Sequence, residues 1–218
     1  MNKLVNLLAS LLIITGLLGL FLIYGPVFQQ EFNYQIKQIS PQDYQLVEDP
    51  QEAEEKVEKK EKQLAVVSQP KLFIPQSFDF SLLIPKIGVN SQVFRNINSS
   101  DEGQYLPVLK KGIAHAQGSS LPSQPGVVFL FAHSTDSFFN IGRYNAQFFL
   151  LRKLEINDDA FVFYENKKYH YQIADKKIVE ADQIEKIIRE LRGNYLVLQT
   201  CHPPGTTLKR LLVMAKLI

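Results

Sequence analysis

From Phe80 onward the chain is written in short apolar runs. Phe80–Ile84, Val89–Ile97, Gly126–Ala132, Ala160–Tyr164, Tyr169–Val179, Tyr195–Thr200 and Leu208–Leu217 are rich in β-branched and aromatic residues, and Gly, Pro, Asn and Asp separate them. This texture predicts strands, and seven or eight of them predict a closed β-barrel. The polar link Glu165-Asn166-Lys167-Lys168 fits a hairpin connection between two of them. Helical spacing is clear once, where Ile184, Ile187, Ile188 and Leu191 follow Asp182 and precede Gly193-Asn194. The fold class is therefore mainly β, with one or two short helices. That helix directly precedes the run ending at Thr200, which makes it a candidate wall for any site there.

The amino-terminal pattern is different. No charged residue occurs from Leu4 to Ile23, and about 20 apolar residues at about 1.5 Å rise match a hydrocarbon core of roughly 30 Å. A cleaved signal peptide normally has a shorter apolar core and a small-x-small cleavage site, whereas Tyr24-Gly25-Pro26-Val27 follows here. A single transmembrane helix over 4–24 is expected, and Lys3 at one end against Glu31 at the other places the amino terminus in the cytoplasm. Residues 1–3 form a cytoplasmic stub, and the protein is expected in the cell membrane, single-pass, with its bulk outside. Residues 25–70 include Glu48 to Lys62, almost without apolar side chains, and read as a charged extracytoplasmic stalk. Residues 71–218 are long enough to bury one core.

Charge narrows the function classes. The domain carries 18 Lys and Arg against 13 Asp and Glu, a scattered excess with no basic stripe, so nucleic acid is not an expected partner. There is no Gly-rich phosphate loop, and neither a cofactor nor a metal is expected. The sole cysteine, Cys201, excludes an internal disulfide. It follows Tyr195–Thr200 and precedes Pro203-Pro204-Gly205, which forbid continuation of a strand, so its thiol is expected at a sheet rim.

A cysteine nucleophile needs a proton partner and a donor for the developing oxyanion. His170 lies among Tyr169 and Tyr171 as a sheet or surface residue, and His202 points away from Cys201 on extended backbone. His115 falls in the polar loop Ala114 to Ser120. His133 follows the run Val127–Ala132 as Cys201 follows its own, so the two meet if their strands share one rim. Arg210 stands in an apolar run, where a charge needs a partner. Gln199 shares a strand face with Cys201, and Leu196 and Leu198 point to the core.

These motifs resemble the sortases, membrane-anchored cysteine transpeptidases of the bacterial surface. The family's Thr-Leu-x-Thr-Cys signature is matched by Val197-Leu198-Gln199-Thr200-Cys201, its histidine after an apolar strand by Ala132-His133, and its arginine on the last strand by Arg210. The departures, Val197 for threonine and Ala132 for glycine, lie outside the reacting groups. The resemblance implies a sortase-like barrel that cuts a Leu-Pro-x-Thr-Gly-like sorting signal of secreted proteins through a Cys201 thioester. The acyl group would pass to an amine on the cell wall or a pilin subunit. Cys201, His133 and Arg210 are the expected catalytic residues, and Thr200, Gln199 and Leu212 the expected substrate contacts. No Asp-Pro-aromatic lid motif precedes the first strand. A papain-like protease is disfavoured because its cysteine precedes its histidine, and a peptidoglycan cross-linking transpeptidase because Pro203 stands where that family has arginine. A non-enzymatic surface scaffold is the alternative of a different class.

Overall fold

The computed structural model describes residues 3, 6–19, 21, 32, 44–53, 71–134 and 147–218. Ten strands are described: β1 (Tyr44–Leu46), β2 (Lys71–Phe73), β3 (Phe80–Ile84), β4 (Val89–Ile97), β5 (Ile113–Ala116), β6 (Val127–Phe131), β7 (Asp159–Tyr164), β8 (Lys167–Val179), β9 (Tyr195–His202) and β10 (Lys209–Leu217). The last eight close into a barrel in the order β10-β8-β7-β3-β4-β5-β6-β9. Two helices accompany them, α1 (Glu102–Leu109) and α2 (Ile184–Glu190).

Alternation of side chains across the barrel wall builds two apolar layers. Inside lie Leu82, Ile84, Val128, Leu130, Ala132, Leu196, Leu198, Leu211 and Val213. On the outer face, Phe129, Phe131, Val197, Leu212 and Met214 are covered by Tyr105, Val108 and Leu109 of α1 and by Ile184, Ile187 and Ile188 of α2. The helical spacing of those isoleucines thus has its cause in this outer layer.

Within the barrel domain neither β5 nor α1 was legible in the sequence. β5 contains His115, expected in a polar loop, yet all four of its residues are buried. The His115 Nδ1 accepts from the Asn96 N–H at 3.3 Å and Nε2 lies 3.1 Å from the Ser120 carbonyl oxygen, so the ring is a neutral structural link. Helix α1 carries Pro107 internally and is capped by the Asp101 side chain, which accepts from the Gln104 N–H. Its return onto β5 requires Gly112, where a Cβ would stand 2.5 Å from the Gln92 carbonyl oxygen. The β7–β8 hairpin is also tighter than expected: the strands run to Tyr164 and from Lys167, leaving Glu165 and Asn166 as a two-residue turn with φ of 49° and 61°.

The amino-terminal region adds a docked segment within the expected stalk. β1 pairs in parallel with β2. Tyr44 meets Phe73 and Phe161 edge-on at 5.8 and 6.5 Å, and its hydroxyl donates to Asp159 Oδ2 at 3.2 Å. Burial, followed by the Asp159 charge, pushes this phenol up to about 12. Val47 is fully buried and Glu48 pairs with Lys168. A stretch with almost no local strand signal is thus held by partners distant in sequence. Residues 54–70 of the expected stalk lie outside the described residues.

Residues 6–19 are helical, and the side chains from Leu7 to Leu18 are largely exposed. Among the described residues no helix is long and apolar enough to cross a membrane; residues 4, 5, 20 and 22–24 of the expected span lie outside them.

Candidate active site

Strands β6 and β9 are adjacent and parallel, with Phe131 level with Gln199. The alignment continues past the end of β6, where the Ala132 N–H donates to the Gln199 carbonyl at 3.2 Å and the Thr200 hydroxyl donates to the Ala132 carbonyl at 2.9 Å. Carried on by one residue, it sets His133 level with Cys201. On the other side of β9, Cys201 is the direct cross-strand partner of Arg210 on β10. His133, two residues past the end of β6, Cys201 on β9 and Arg210 on β10 therefore stand side by side at one height, along strands spaced about 4.8 Å apart, with the thiol in the middle.

Parity fixes the face. Ala132, Leu198 and Leu211 point into the barrel, so His133, Cys201 and Arg210 point outward, beyond the area that the helices cover. There they line a groove of about 680 Å³ together with Tyr105, Leu106 and Leu109 of α1, Gln199, and Gly205 to Leu208 of the β9–β10 connection. Cys201 is a free, partly exposed thiol. Arg210 donates through Nη1 to the Thr207 and Lys209 carbonyls at 2.8 and 3.1 Å. Those bonds tie the guanidinium to the connecting loop and leave N–H groups to spare, since arginine has five.

The expected residues separate by location. His133, Cys201, Arg210 and Gln199 are brought together in the groove. Thr200 is not a groove residue: it is 2% exposed and turned inward to the Ala132 carbonyl. Leu212 is fully buried in the outer apolar layer, because its outward position two residues beyond Arg210 falls under the helices. Cys201 lies within β9, which pairs with β10 through His202 before the prolines end it. The described groove wall comes from α1, not from α2.

His170 stacks on Phe161 at 4.5 Å and pairs with Asp159 at 2.7 Å, so it belongs to the β1 docking region. For His115, burial is the main cause of a lowered pKa. Tyr105 was missed by sequence reasoning. It meets Phe131 edge-on at 6.3 Å, and nothing in the local pattern of α1 marks it. No group of three or more His, Cys, Asp or Glu able to hold a metal occurs among the described residues.

Cysteine, histidine and arginine side chains thus line one groove on the outer face of a closed eight-stranded barrel. The sortase domain model matches residues 82–218, and the chain belongs to the sortase family, whose members are cysteine transpeptidases. It is similar to sortase D of Bacillus subtilis (strain 168), at 26% identity over 138 residues, 62% of this chain. The match spans 61% of that relative's length. Among solved structures it is similar to a pilus-related sortase C of Group B Streptococcus, at 30% identity and a TM-score of 0.53, over 64% of this chain and 66% of that one. Sortase C1 of the pilus island 1 of the same organism gives 28% and 0.52, over 64% and 63%.

Proposed function

We propose that this chain is a membrane-anchored transpeptidase that cleaves a Leu-Pro-x-Thr-Gly-like sorting signal and joins the new carboxyl end to an amine. The observation that carries this reading is the alignment of His133, Cys201 and Arg210 side by side in one groove. Cys201 Sγ attacks the threonine carbonyl. Spare guanidinium N–H groups of Arg210 donate to the oxyanion or to flanking substrate carbonyls, a task suited to a permanently charged fork. As the peptide C–N bond breaks, protonated His133 delivers its proton to the departing glycine amine, leaving a thioester on Cys201. The acceptor amine then attacks that carbonyl, its proton passes to His133, and the thiolate leaves.

Gln199 stands beside the thiol in the groove and is a substrate contact in this reading. The acceptor is an amine on the cell wall or a pilin subunit, and the pilus-related descriptions of the two similar structures support the second. The uncharged stretch from Leu4 to Ile23 and the flanking Lys3 support an anchor over 4–24, with the barrel outside the cell.

The test is mass spectrometry of the full chain with a panel of sorting peptides, with and without glycine- or lysine-bearing acceptors. Expected are a thioester on Cys201 and, with amine, a product joined through the threonine carboxyl. Cys201→Ala and His133→Ala abolish both without unfolding. Release of acid alone at every amine concentration would make the chain a protease, and no thioester with any peptide would leave the scaffold reading.

A further inference from the structure

We propose that Glu102 and Tyr105 of α1 form the docking site for the ammonium group of the acceptor, on the His133 side of the groove. The inference rests on the transpeptidase reading and adds to it where the second substrate binds. Its starting point is charge. Among the described residues lining the groove, Arg210 is the one permanently charged side chain, and none is a carboxylate. An acceptor amine arrives protonated at neutral pH and meets a groove whose fixed charge, Arg210, repels it.

Helix α1 supplies what the groove floor lacks. Glu102, Tyr105, Leu106 and Leu109 follow the i, i+3, i+4, i+7 spacing of one helix face. The last three line the groove, so Glu102 continues the same face at its solvent end, where it is exposed. Tyr105 is steadied by its edge contact with Phe131, two residues before His133. Its hydroxyl is held in the neutral form first by burial, then by the Glu102 carboxylate, with Cys201 acting in the same sense and Arg210 in the opposite one. A phenol oxygen backed by a carboxylate presents two acceptors to an N–H⁺ group.

Position divides the groove. α1 packs over β4 and β5 and touches β6 through Tyr105. The order across the sheet is therefore Glu102 and Tyr105, then His133, Cys201 and Arg210. The guanidinium half suits the carbonyls of the acyl donor, and the carboxylate half suits the incoming cation. An ammonium docked there loses one proton to solvent and attacks the thioester carbonyl as free amine. It passes a second proton to the adjacent His133 as the bond to Cys201 Sγ breaks. The asymmetry gives each substrate its own wall, and the Glu102 carboxylate offsets the Arg210 charge at the acceptor's wall.

The test compares two nucleophiles on the same thioester in the full-length protein: triglycine as its carboxyl-terminal amide, whose one charge is its ammonium group, and hydroxylamine, which is uncharged at neutral pH. For each variant the half-saturating concentration of triglycine is divided by that of hydroxylamine, which removes any effect common to both. Glu102→Gln is expected to raise this ratio about 1.4- to fivefold, the range for one exposed charge pair, and Glu102→Asp to restore it. Tyr105→Phe, which keeps the ring on Phe131, is expected to raise it as well, and added salt to shrink the Glu102→Gln effect. An unchanged ratio in Glu102→Gln, with thioester formation intact, overturns the docking site and leaves the transpeptidase reading standing. Failure of the unaltered protein to form a thioester overturns both.

Discussion

Replacing Thr200 by valine removes one oxygen and leaves a shape of nearly the same size, so its effect isolates one hydrogen bond. The Thr200 hydroxyl is 2.9 Å from the Ala132 carbonyl oxygen, and both residues are buried, at 2% and 5% exposure. Leaving a buried carbonyl without this donor costs about 1–3 kcal/mol, which for a domain of this size lowers the melting temperature by about 2–12 °C. The same bond fixes Ala132, the residue before His133, against the residue before Cys201. The Ala132 N–H to Gln199 bond and the Phe148 N–H, which donates to the His133 carbonyl oxygen at 3.2 Å, still hold this segment, but the imidazole's alignment with the thiol is loosened. Small displacements of reacting groups cost up to about a hundredfold in rate. Thermal melting and the rate of thioester formation are measured on Thr200→Val and Thr200→Ser. Serine keeps the hydroxyl and gives up one methyl, about 0.8 kcal/mol, so it is expected to lose some stability but to keep the rate. A serine variant as slow as the valine one would refute the reasoning, as would a valine variant that melts and reacts like the parent.

Leu212→Ala opens a cavity in the outer apolar layer and is expected to cost about 2–5 kcal/mol in urea unfolding, while a mild loss would place Leu212 at the groove after all. His115 is kept neutral by burial, so its folded pKa lies below the ordinary value. The unfolded chain therefore takes up the proton first, and stability present above about pH 6.5 is lost as pH falls through that value. Urea melts at pH 7.5 and 5 should show this loss, and His115→Gln should flatten it; an equal slope in the variant would refute the assignment. A fragment starting at residue 71 lacks β1 and Val47 and exposes the ring faces of Phe73 and Phe161 that Tyr44 covers. It is expected to melt below a fragment starting at residue 43, both being tested by circular dichroism.

How much of this was legible in the sequence follows from how local each cause is. The strands β3, β4 and β6 to β10 declare themselves because each is a run of apolar or β-branched residues closed by turn formers. β5 does not, because Ile113-Ala114-His115-Ala116 owes its strand to neighbours on both sides, and its histidine and the Gln117-Gly118 that follow resemble a loop. α1 is obscured by Pro107 and by a face only partly apolar. The docking of Tyr44 depends on partners at positions 73, 159 and 161, which no short window contains. In the site, motif spacing located His133, Cys201, Gln199 and Arg210, but alternation alone could not separate groove from helix-covered surface. Leu212 has the same outward parity as Arg210, and only the placement of α1 and α2 makes one a core residue and the other a groove residue. Thr200 has the inward parity, which the strand pattern already implied.

The parallel pairing of β6 with β9 also governs when the site comes into being. These neighbours are separated in the chain by β7, β8 and α2, and β9 is the piece that fills the gap between β6 and β10. Pairings between distant segments form late, since their loop entropy must be met before their contacts help. A chain that has not finished closing has its imidazole on one open edge and its thiol on a strand not yet inserted. Folding and assembly of the groove are then a single event, and a half-folded copy meets peptides and amines without an assembled site.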